Sequence, residues 1–327
     1  MPEDFRYYQE TPVGPDAHHD VPLSNFAVSA FARGAEGFVG NDLFPAMPVG
    51  KQSDRYYVID KAAFLRNPDT RRSPGTRSKK VEFRVSSEPY YAENHALHTT
   101  ITAEDGANAD AAIQLRQNGV GLINTNLQRA QEVRIANIVT TSGNLGGALV
   151  VASKWSSLAT GTSNPLTDVE SAHAFIRLTT GLVANTMVLD YDSWQKVRRH
   201  ADLLEMYKYT SGGQVTEEQL ASAFGVQRLL IPQGVVENAL EGGTSSMTNI
   251  WGNNAILAYL GPNTGLQSQT LGIRMQWRNP AFPAAFGVQR RLAMGAAEEK
   301  VEYIESGHYQ DEKLVATNLG FQLLATL

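Results

Sequence analysis

The run Arg55-Tyr56-Tyr57-Val58-Ile59, with its continuation Arg66-Asn67-Pro68-Asp69-Thr70-Arg71-Arg72-Ser73-Pro74-Gly75-Thr76-Arg77-Ser78-Lys79-Lys80-Val81-Glu82-Phe83-Arg84-Val85, sets the reading of the whole chain. Its two ends are rich in β-branched and aromatic residues, as strands are. Between them, Asn67-Pro68-Asp69 and Ser73-Pro74-Gly75 are turn signals. The pattern predicts a long hairpin with a loose tip, reaching on the order of 40 Å at the usual rise per strand residue. From Arg55 to Arg84 nine basic residues stand against three acidic ones, so this segment carries +6 and leaves −11 on the rest of a chain whose total is −5. A basic projection on an acidic body is electrically complementary to another copy of itself. The same features, with Tyr and Phe for stacking, also fit a nucleic-acid arm. An isolated two-stranded ribbon is only marginally stable in water, so either reading requires a surface for the hairpin to lie on. An assembly arm across a neighbouring copy is the first reading and a DNA-binding hairpin over 55–84 the alternative.

The rest of the composition narrows the field. There is no cysteine among the 327 residues, which excludes disulfides, thiolate metal sites and cysteine nucleophiles. The opening Met1-Pro2-Glu3-Asp4-Phe5-Arg6 is acidic and polar, unlike a secretory signal. No apolar run approaches the ~18 residues of a membrane span. The mildly acidic balance argues against general nucleic-acid binding. A soluble protein of cytoplasmic type is expected.

Residues 1–50 hold six prolines and little periodicity, and read as an arm over the body or a partner, with a short helix within Ser24–Phe38 and extended chain over Phe44–Val49. A strand is expected over Tyr90–Thr102. From about 108 to 140 there is no proline, and Ala109, Ile113, Val120, Ile123, Leu127, Ala130 and Ile138 recur at helical spacing. Such a helix is ~50 Å long, with a possible bend at Gly119 and Gly121. Arg129, Glu132 and Arg134 are assigned to its solvated or interfacial face. Residues 142–166 read as a linker with a short strand at Leu149–Val151. An α/β rhythm follows. Asp168 caps a helix to Thr180 stopped by Gly181, Thr186–Leu189 is a buried strand, and Tyr191–Tyr207 is helical. Thr216 with Gln219 forms a capping box for a helix ending at Gly225. Further strands are expected at Leu229–Ile231, Ile256–Leu260, Leu271–Trp277, around Val301 and Tyr303, and over Leu314–Leu324.

Few residues suggest chemistry. Asp190 and Asp192 could hold a divalent cation, but a strand end followed by a helix cap explains them better. His95 and His98 would point to opposite faces of a strand, which is poor for zinc. His18-His19 sits in the proline-rich arm, where exposure explains it. Glu298, Glu299, Glu302 and Glu305 read as a solvated edge or a dock for the basic hairpin. Gly50-Lys51-Gln52-Ser53 lacks the upstream glycine and the Lys-Ser/Thr step of a P-loop. No G-x-S-x-G, H-E-x-x-H or G-x-G-x-x-G occurs. Neither an enzyme nor a cofactor or metal site is expected.

Several stretches, taken in order, carry a resemblance. They are Arg66 through Pro74-Gly75 to Val81-Glu82-Phe83, then Tyr90-Tyr91-Ala92-Glu93-Asn94-His95-Ala96-Leu97, then Gln131-Glu132-Val133-Arg134-Ile135-Ala136. Next come Asp168, Ala172 and Ile176, Thr180-Gly181, Asn185-Thr186-Met187-Val188-Leu189, Leu220-Ala221, Phe224-Gly225-Val226 and Ile250-Trp251-Gly252-Asn253. Together they resemble the major capsid proteins of tailed bacteriophages, with their Hong Kong 97-like fold, from about Asn41 onward. The resemblance implies an α+β protein with an N-terminal arm (1–50), an extended β-hairpin loop (51–86) and a peripheral domain with a long spine helix (87–165). It further implies an α/β axial domain (166–280) and return strands of the peripheral domain (281–327).

It also implies self-assembly as hexamers and pentamers into an icosahedral shell around double-stranded DNA, without sequence-specific binding and without a membrane. Portal and scaffolding proteins, and in some members decoration proteins, are the implied partners, and the virion, assembled in the host cytoplasm, the implied location. The chain has no room for the fused scaffolding segment of some members, which leaves a separate scaffold or prior cleavage. Lys61, Lys79 and Lys80 match the crosslinking loop lysine of some members by position only, and crosslinking is not predicted. The expected contacts between copies are Tyr56, Tyr57, Arg66, Arg71, Arg72, Arg77, Lys79, Lys80 and Phe83 on the hairpin, with Glu298, Glu299 and Glu302 as acidic counterparts.

Overall fold

A computed structural model describes residues 18–19, 37–59, 65–82, 85–104, 112–157, 163–208, 215–240, 242–262, 269–278, 287–292, 301–324 and 326. In chain order the strands are β1 (His18–His19), β2 (Ala46–Val49), β3 (Ser53–Ile59), β4 (Val85–Tyr91), β5 (Glu93–Thr102), β6 (Gly147–Val150), β7 (Thr186–Leu189) and β8 (Arg228–Leu230). They continue as β9 (Val235–Glu237), β10 (Met247–Asn249), β11 (Ala255–Ala258), β12 (Gly272–Trp277), β13 (Gly287–Leu292), β14 (Val301–Leu314) and β15 (Gly320–Leu324). The α-helices are α1 (Gly40–Leu43), α2 (Ala112–Thr140), α3 (Pro165–Thr180), α4 (Tyr191–Val197), α5 (Ala201–Met206) and α6 (Glu217–Ala223). None is long and apolar enough to cross a membrane, among the described residues.

One sheet is built around β14. This 14-residue strand pairs antiparallel with β5 over ten positions on one side, and with β13 and then β12 on the other. β1 adds to β13, and β2 runs parallel to β12. Helix α2 lies on this sheet and is unbroken for 29 residues, about 44 Å at the α-helical rise. It runs unbroken through Gly119 and Gly121. At Gly119 a Cβ would fall 2.9 Å from Thr99 Cγ2, so the bare backbone is what lets β5 approach the helix.

The contact between α2 and β14 is a polar seam. Every second residue of a strand faces the same way, and the even-numbered residues of β14 face the helix. Arg116 pairs with Glu302 at 2.9 Å, Ser306 donates to Asn124 at 2.8 Å, Gln310 donates to Gln131 at 3.1 Å, and Arg134 pairs with Glu312 at 2.9 Å. Over the 18 residues from Arg116 to Arg134 the helix rises about 27 Å. Over the ten from Glu302 to Glu312 the strand rises about 33 Å, so the two repeats keep nearly in step. A small apolar knot of Val120, Val288 and Ile304 sits within the seam.

The second sheet has the order β6-β15-β11-β7-β8. Its central strands β7 and β11 are buried at every residue, hence their uninterrupted apolar sequences. One face, with Met187, Leu189, Ala255, Leu257 and Leu323, packs against α3 to α6. The other, with Val188, Ile256 and Ala258, closes on Ile135, Ala136 and Val139 at the end of α2. The 142–166 region is therefore not a linker, because β6 is an edge strand of this sheet.

Several boundaries differ from the sequence reading for local reasons. The capping residue of α3 is Asn164, whose side chain accepts from Thr167 N at 3.1 Å with Pro165 next in line, while Asp168 lies in the first turn and accepts from Trp155 Nε1 at 2.8 Å. Gly181 ends α3 in the left-handed conformation, φ 75°, as expected. The helix expected over Tyr191–Tyr207 is two, because His200 breaks it and caps the second by accepting from Asp202 N. The Thr216–Gln219 capping box is present on α6. The closing strand expected over Leu314–Leu324 is the end of β14, a 3-10 turn and β15.

Residues 37–49 do not behave as a surface arm. Leu43 and Phe44 are fully buried in the core between α2 and the second sheet, and Val39 is nearly so. Most of the short helix expected within Ser24–Phe38 lies outside the described residues.

Candidate functional site

The hairpin exists, in a different register from the one expected. β3 pairs with β4 antiparallel from Ser53↔Tyr91 to Ile59↔Val85, so the returning strand begins at Val85 and not at Val81. Tyr90 and Tyr91 belong to the hairpin, and the following strand is the separate β5. One face of this ribbon is glued to the first sheet. Tyr56 and Tyr90 are buried with Ile273 and Met275, and the Tyr56 hydroxyl donates to Glu88 at 2.6 Å. Burial, then the bond to Glu88, push the Tyr56 phenol well above its usual range. The Tyr91 amide donates to Asp311 at 2.9 Å. Tyr56 thus anchors the ribbon to its own body and is not available as a contact between copies. Tyr57 points the other way and is 63% exposed.

Beyond the ribbon, every residue from Leu65 to Glu82 is exposed. The hydrogen bonds and ion pairs of this loop close within it, among the described residues. Arg71 N and Lys79 both bond Asp69, holding its carboxyl below the usual range, with the Lys79 bond the larger cause. Arg72 Nε donates to the Thr76 carbonyl at 2.7 Å, Thr76 N donates to the Ser73 carbonyl, and Lys80 pairs with Glu82. The lysines are thus neutralised locally, while Arg66, Arg71, Arg72 and Arg77 keep exposed guanidinium groups with no carboxylate partner among the described residues. Phe83, Lys61, Glu298 and Glu299 lie outside the described residues. Glu302 is not part of a solvated edge. It is 8% exposed and gripped by Arg116 in the polar seam, so it is no dock for a basic hairpin.

The helix face expected to be solvated or interfacial holds a buried carboxylate. Glu132 is 2% exposed and accepts from Val39 N at 2.9 Å, Gly40 N at 2.8 Å and Trp251 Nε1 at 2.7 Å. Burial raises its pKa, against the lowering effect of these three donors. One side chain therefore ties α2 to the segment entering α1 and to the loop before β11. Nothing in the helical periodicity marks it. A glutamate within an apolar stripe, where Ile135 and Ala136 follow, was the available signal.

The carboxylate pair is structural. Asp190 is 1% exposed and caps α4 by accepting from Asp192 N and Ser193 N, with its pKa raised to about 6 chiefly by burial. Asp192 accepts from Asn249 Nδ2 at 2.8 Å. His95 and His98 do lie on opposite faces of β5, beside His308 and Tyr303 respectively. A Ser-His-Asp grouping that the sequence did not suggest also occurs. Ser163 Oγ lies 2.9 Å from His200 Nε2, and Asp202 Oδ2 lies 3.6 Å from Nδ1. Its wiring is unsuited to catalysis. Ser163 donates its proton to the Ser157 carbonyl at 2.8 Å, so Nε2 must donate to the serine rather than take its proton. Nδ1 accepts the Asp202 amide as a helix cap, and the histidine is wholly buried.

No family model matches the chain. It is 26% identical over 253 residues to the major capsid protein of Burkholderia phage BcepMu, covering 77% of this chain and 79% of that protein. To the major capsid protein of Pseudomonas phage JBD67 it is 23% identical, covering 73% and 77%. Among solved structures, a phage-related protein of Bordetella bronchiseptica superposes with a TM-score of 0.70 at 22% identity, over 94% of this chain and 97% of that one. The capsid structure of cyanophage P-SCSP1u gives 0.57 at 10% identity, over 86% of each. These comparisons do not support the alternative of a DNA-binding protein using residues 55–84. The chain has the Hong Kong 97-like fold of phage major capsid proteins.

Proposed function

We propose that this chain is the major capsid protein of a tailed phage, a structural protein that closes an icosahedral shell of hexamers and pentamers around double-stranded DNA. The observation that carries the proposal is the likeness to two phage major capsid proteins over about three quarters of the chain, at near-equal coverage of those proteins. The loop over 65–82 supports it, being fully exposed and rich in arginine without a carboxylate partner among the described residues, a residue enriched in protein interfaces. A shell subunit need not be basic overall, because small cations can neutralise packaged DNA.

Residues 51–86 form the extended loop in this reading, and 87–165 with 281–327 form the peripheral domain. Residues 166–280 form the axial domain, and its sheet also takes in β6 and β15. The contacts between copies are Tyr57, Arg66, Arg71, Arg72, Arg77, Lys79 and Lys80, with Phe83. Portal and scaffolding proteins join during assembly in the host cytoplasm, and the mature location is the virion. Deleting residues 66–80 tests the role of the loop. The expected result is a folded subunit with wild-type secondary structure by circular dichroism that forms no stable shells by negative-stain microscopy. Normal particles from the deletion would remove the loop from the assembly mechanism.

A further inference from the structure

Two histidines face each other inside the first sheet. His308 of β14 and His95 of β5 are direct cross-strand partners, with ring centroids 5.5 Å apart. As an even-numbered residue of β14, His308 faces α2 between the seam contacts at Ser306 and Gln310, and it is 1% exposed. Charged groups close on the pair from the elements around it. Helix α2 brings Arg134 and, toward Arg274, Glu132; β12 brings Arg274, β14 brings Glu312 and β5 brings Glu93. Arg134 is paired with Glu312, and Arg274 Nε donates to the Phe44 carbonyl at 2.9 Å. Glu93 is exposed, so two guanidinium groups and two carboxylates are the charges gathered beneath the helix. In that setting the pair is held neutral. Burial, then His95, Arg134 and Arg274, keep His308 well below the usual histidine range. Burial and then Arg134 lower His95 as well, against the opposite pull of Glu312 and Glu93.

We infer that the His95–His308 pair is an acid-sensitive latch between α2 and the paired strands β5 and β14, and that acid loosens this layer while the second sheet stays closed. Protonating both rings would set four cations against two carboxylates in a place that water does not reach, and an uncompensated buried charge is costly. The rings lie in the polar seam, so lifting α2 from β14 hydrates them without opening the apolar core. The seam side chains Asn124, Ser306, Gln131 and Gln310 can exchange one another for water, because a neutral hydrogen bond adds only about 0.5–1.5 kcal/mol net. The direction follows from linkage. As pH falls below the ordinary histidine value of about 6.5, the opened chain takes up protons that the closed layer refuses, and stability present above that value is lost. The second sheet responds the other way, because Asp190 at the end of β7 holds its proton more tightly when buried, and acid favours its closed form. This inference concerns the single subunit and does not rest on the capsid reading.

Amide hydrogen exchange read by mass spectrometry on the full-length subunit, at about pH 7.5 and about pH 5 and corrected for the intrinsic rate, tests the latch. Protection in peptides from β5, β14 and the stretch of α2 between Arg116 and Arg134 should fall about tenfold or more at the lower pH, the effect of a pKa displaced by about one. Peptides from β7 and β11 should keep theirs. Equal losses in both sheets, or no extra loss in the first, would overturn the proposal. The double variant His95→Gln, His308→Gln cannot titrate at these positions and should keep its protection at the lower pH. Acid opening of the variant to the wild-type extent would show that other groups drive it. Exchange at the histidine C2 hydrogens of the wild-type chain needs no variant and decides the matter if the double variant does not fold. His95 and His308 should titrate below about 6.5, and midpoints at or above that value would overturn the latch.

Discussion

Two parts of the molecule are dense in charge and use it in opposite ways. Along the seam between α2 and β14, arginine and glutamate are packed inside the protein, and each is held by a specific partner on the facing element. In the loop over 65–82, arginines of the same chemistry stand in water, with bonds only to their own loop among the described residues. Burial makes the difference. A partly buried pair fixes register, because removing one member strands the other. An exposed arginine contributes almost nothing to its own subunit and is free to serve another. The seam therefore bears on whether the subunit folds, and in the proposed function the loop serves contacts made after folding.

The largest effect on the buried side of that division is expected from Glu132, on the same helix but outside the seam, whose removal would leave three buried donors without an acceptor. At roughly 1–3 kcal/mol per stranded group, Glu132→Ala should cost about 4 kcal/mol or more in urea unfolding. Glu132→Gln keeps one carbonyl oxygen and should lose about half as much. Next in size is Arg134→Ala. It strands the nearly buried Glu312, for which a loss of about 3 kcal/mol is expected by the same measurement. A loss no greater than that of an exposed substitution would show that the seam is not a locked contact.

Asp190 supplies a pH signature of the interior. Burial raises its pKa to about 6, above the ordinary aspartate range, so the folded state holds the proton more tightly than the unfolded state. This contribution to stability is complete below the unfolded value and is lost as pH rises through about 6. Melting temperatures measured from pH 4 to pH 7 on wild type and Asp190→Asn should therefore diverge. The variant, which cannot titrate there, should lose less stability across the window, and parallel curves would refute the assignment.

The smallest effect on stability belongs to the loop. Arg71→Ala with Arg72→Ala should change unfolding by less than about 0.5 kcal/mol, as surface substitutions do. The same double variant should slow early assembly, followed by light scattering. It should also weaken the dependence of the assembly rate on ionic strength, because steering by exposed charge is screened by salt. A double variant that unfolds early but assembles normally would reverse the comparison.

Local rules read well from the sequence wherever the signal and its cause are neighbours. The Thr216–Gln219 capping box, the Gly181 stop and the strand Thr186–Leu189 depend on a few adjacent residues and appear where expected. The cap of α3 differs because Asn164 with Pro165 after it makes the stronger helix start, and Asp168, four positions on, falls in the first turn. Glu132, Glu302 and Tyr56 were misplaced for a different reason. Each is buried by partners 32 to 186 residues away, and pattern reading assigns a charged or polar group to solvent by default. The basic loop was legible because its hydrogen bonds and ion pairs are local among the described residues, whereas the hairpin register was set by Tyr56 and Tyr90 packing on β12.

The place of β15 bears on how this subunit comes into being. Residues 320–324 form a strand inside the second sheet, between β6 and β11, and not on its edge. During synthesis, β11 and β7 emerge first with one flank open, and β6 has nothing to pair with. The sheet cannot close until those five residues have left the ribosome. Pairing between strands so far apart in sequence is slow, and open strand edges are prone to stick to one another. A chain truncated ahead of β15 thus lacks an interior strand of that sheet, and β6 is left without its only partner there among the described residues.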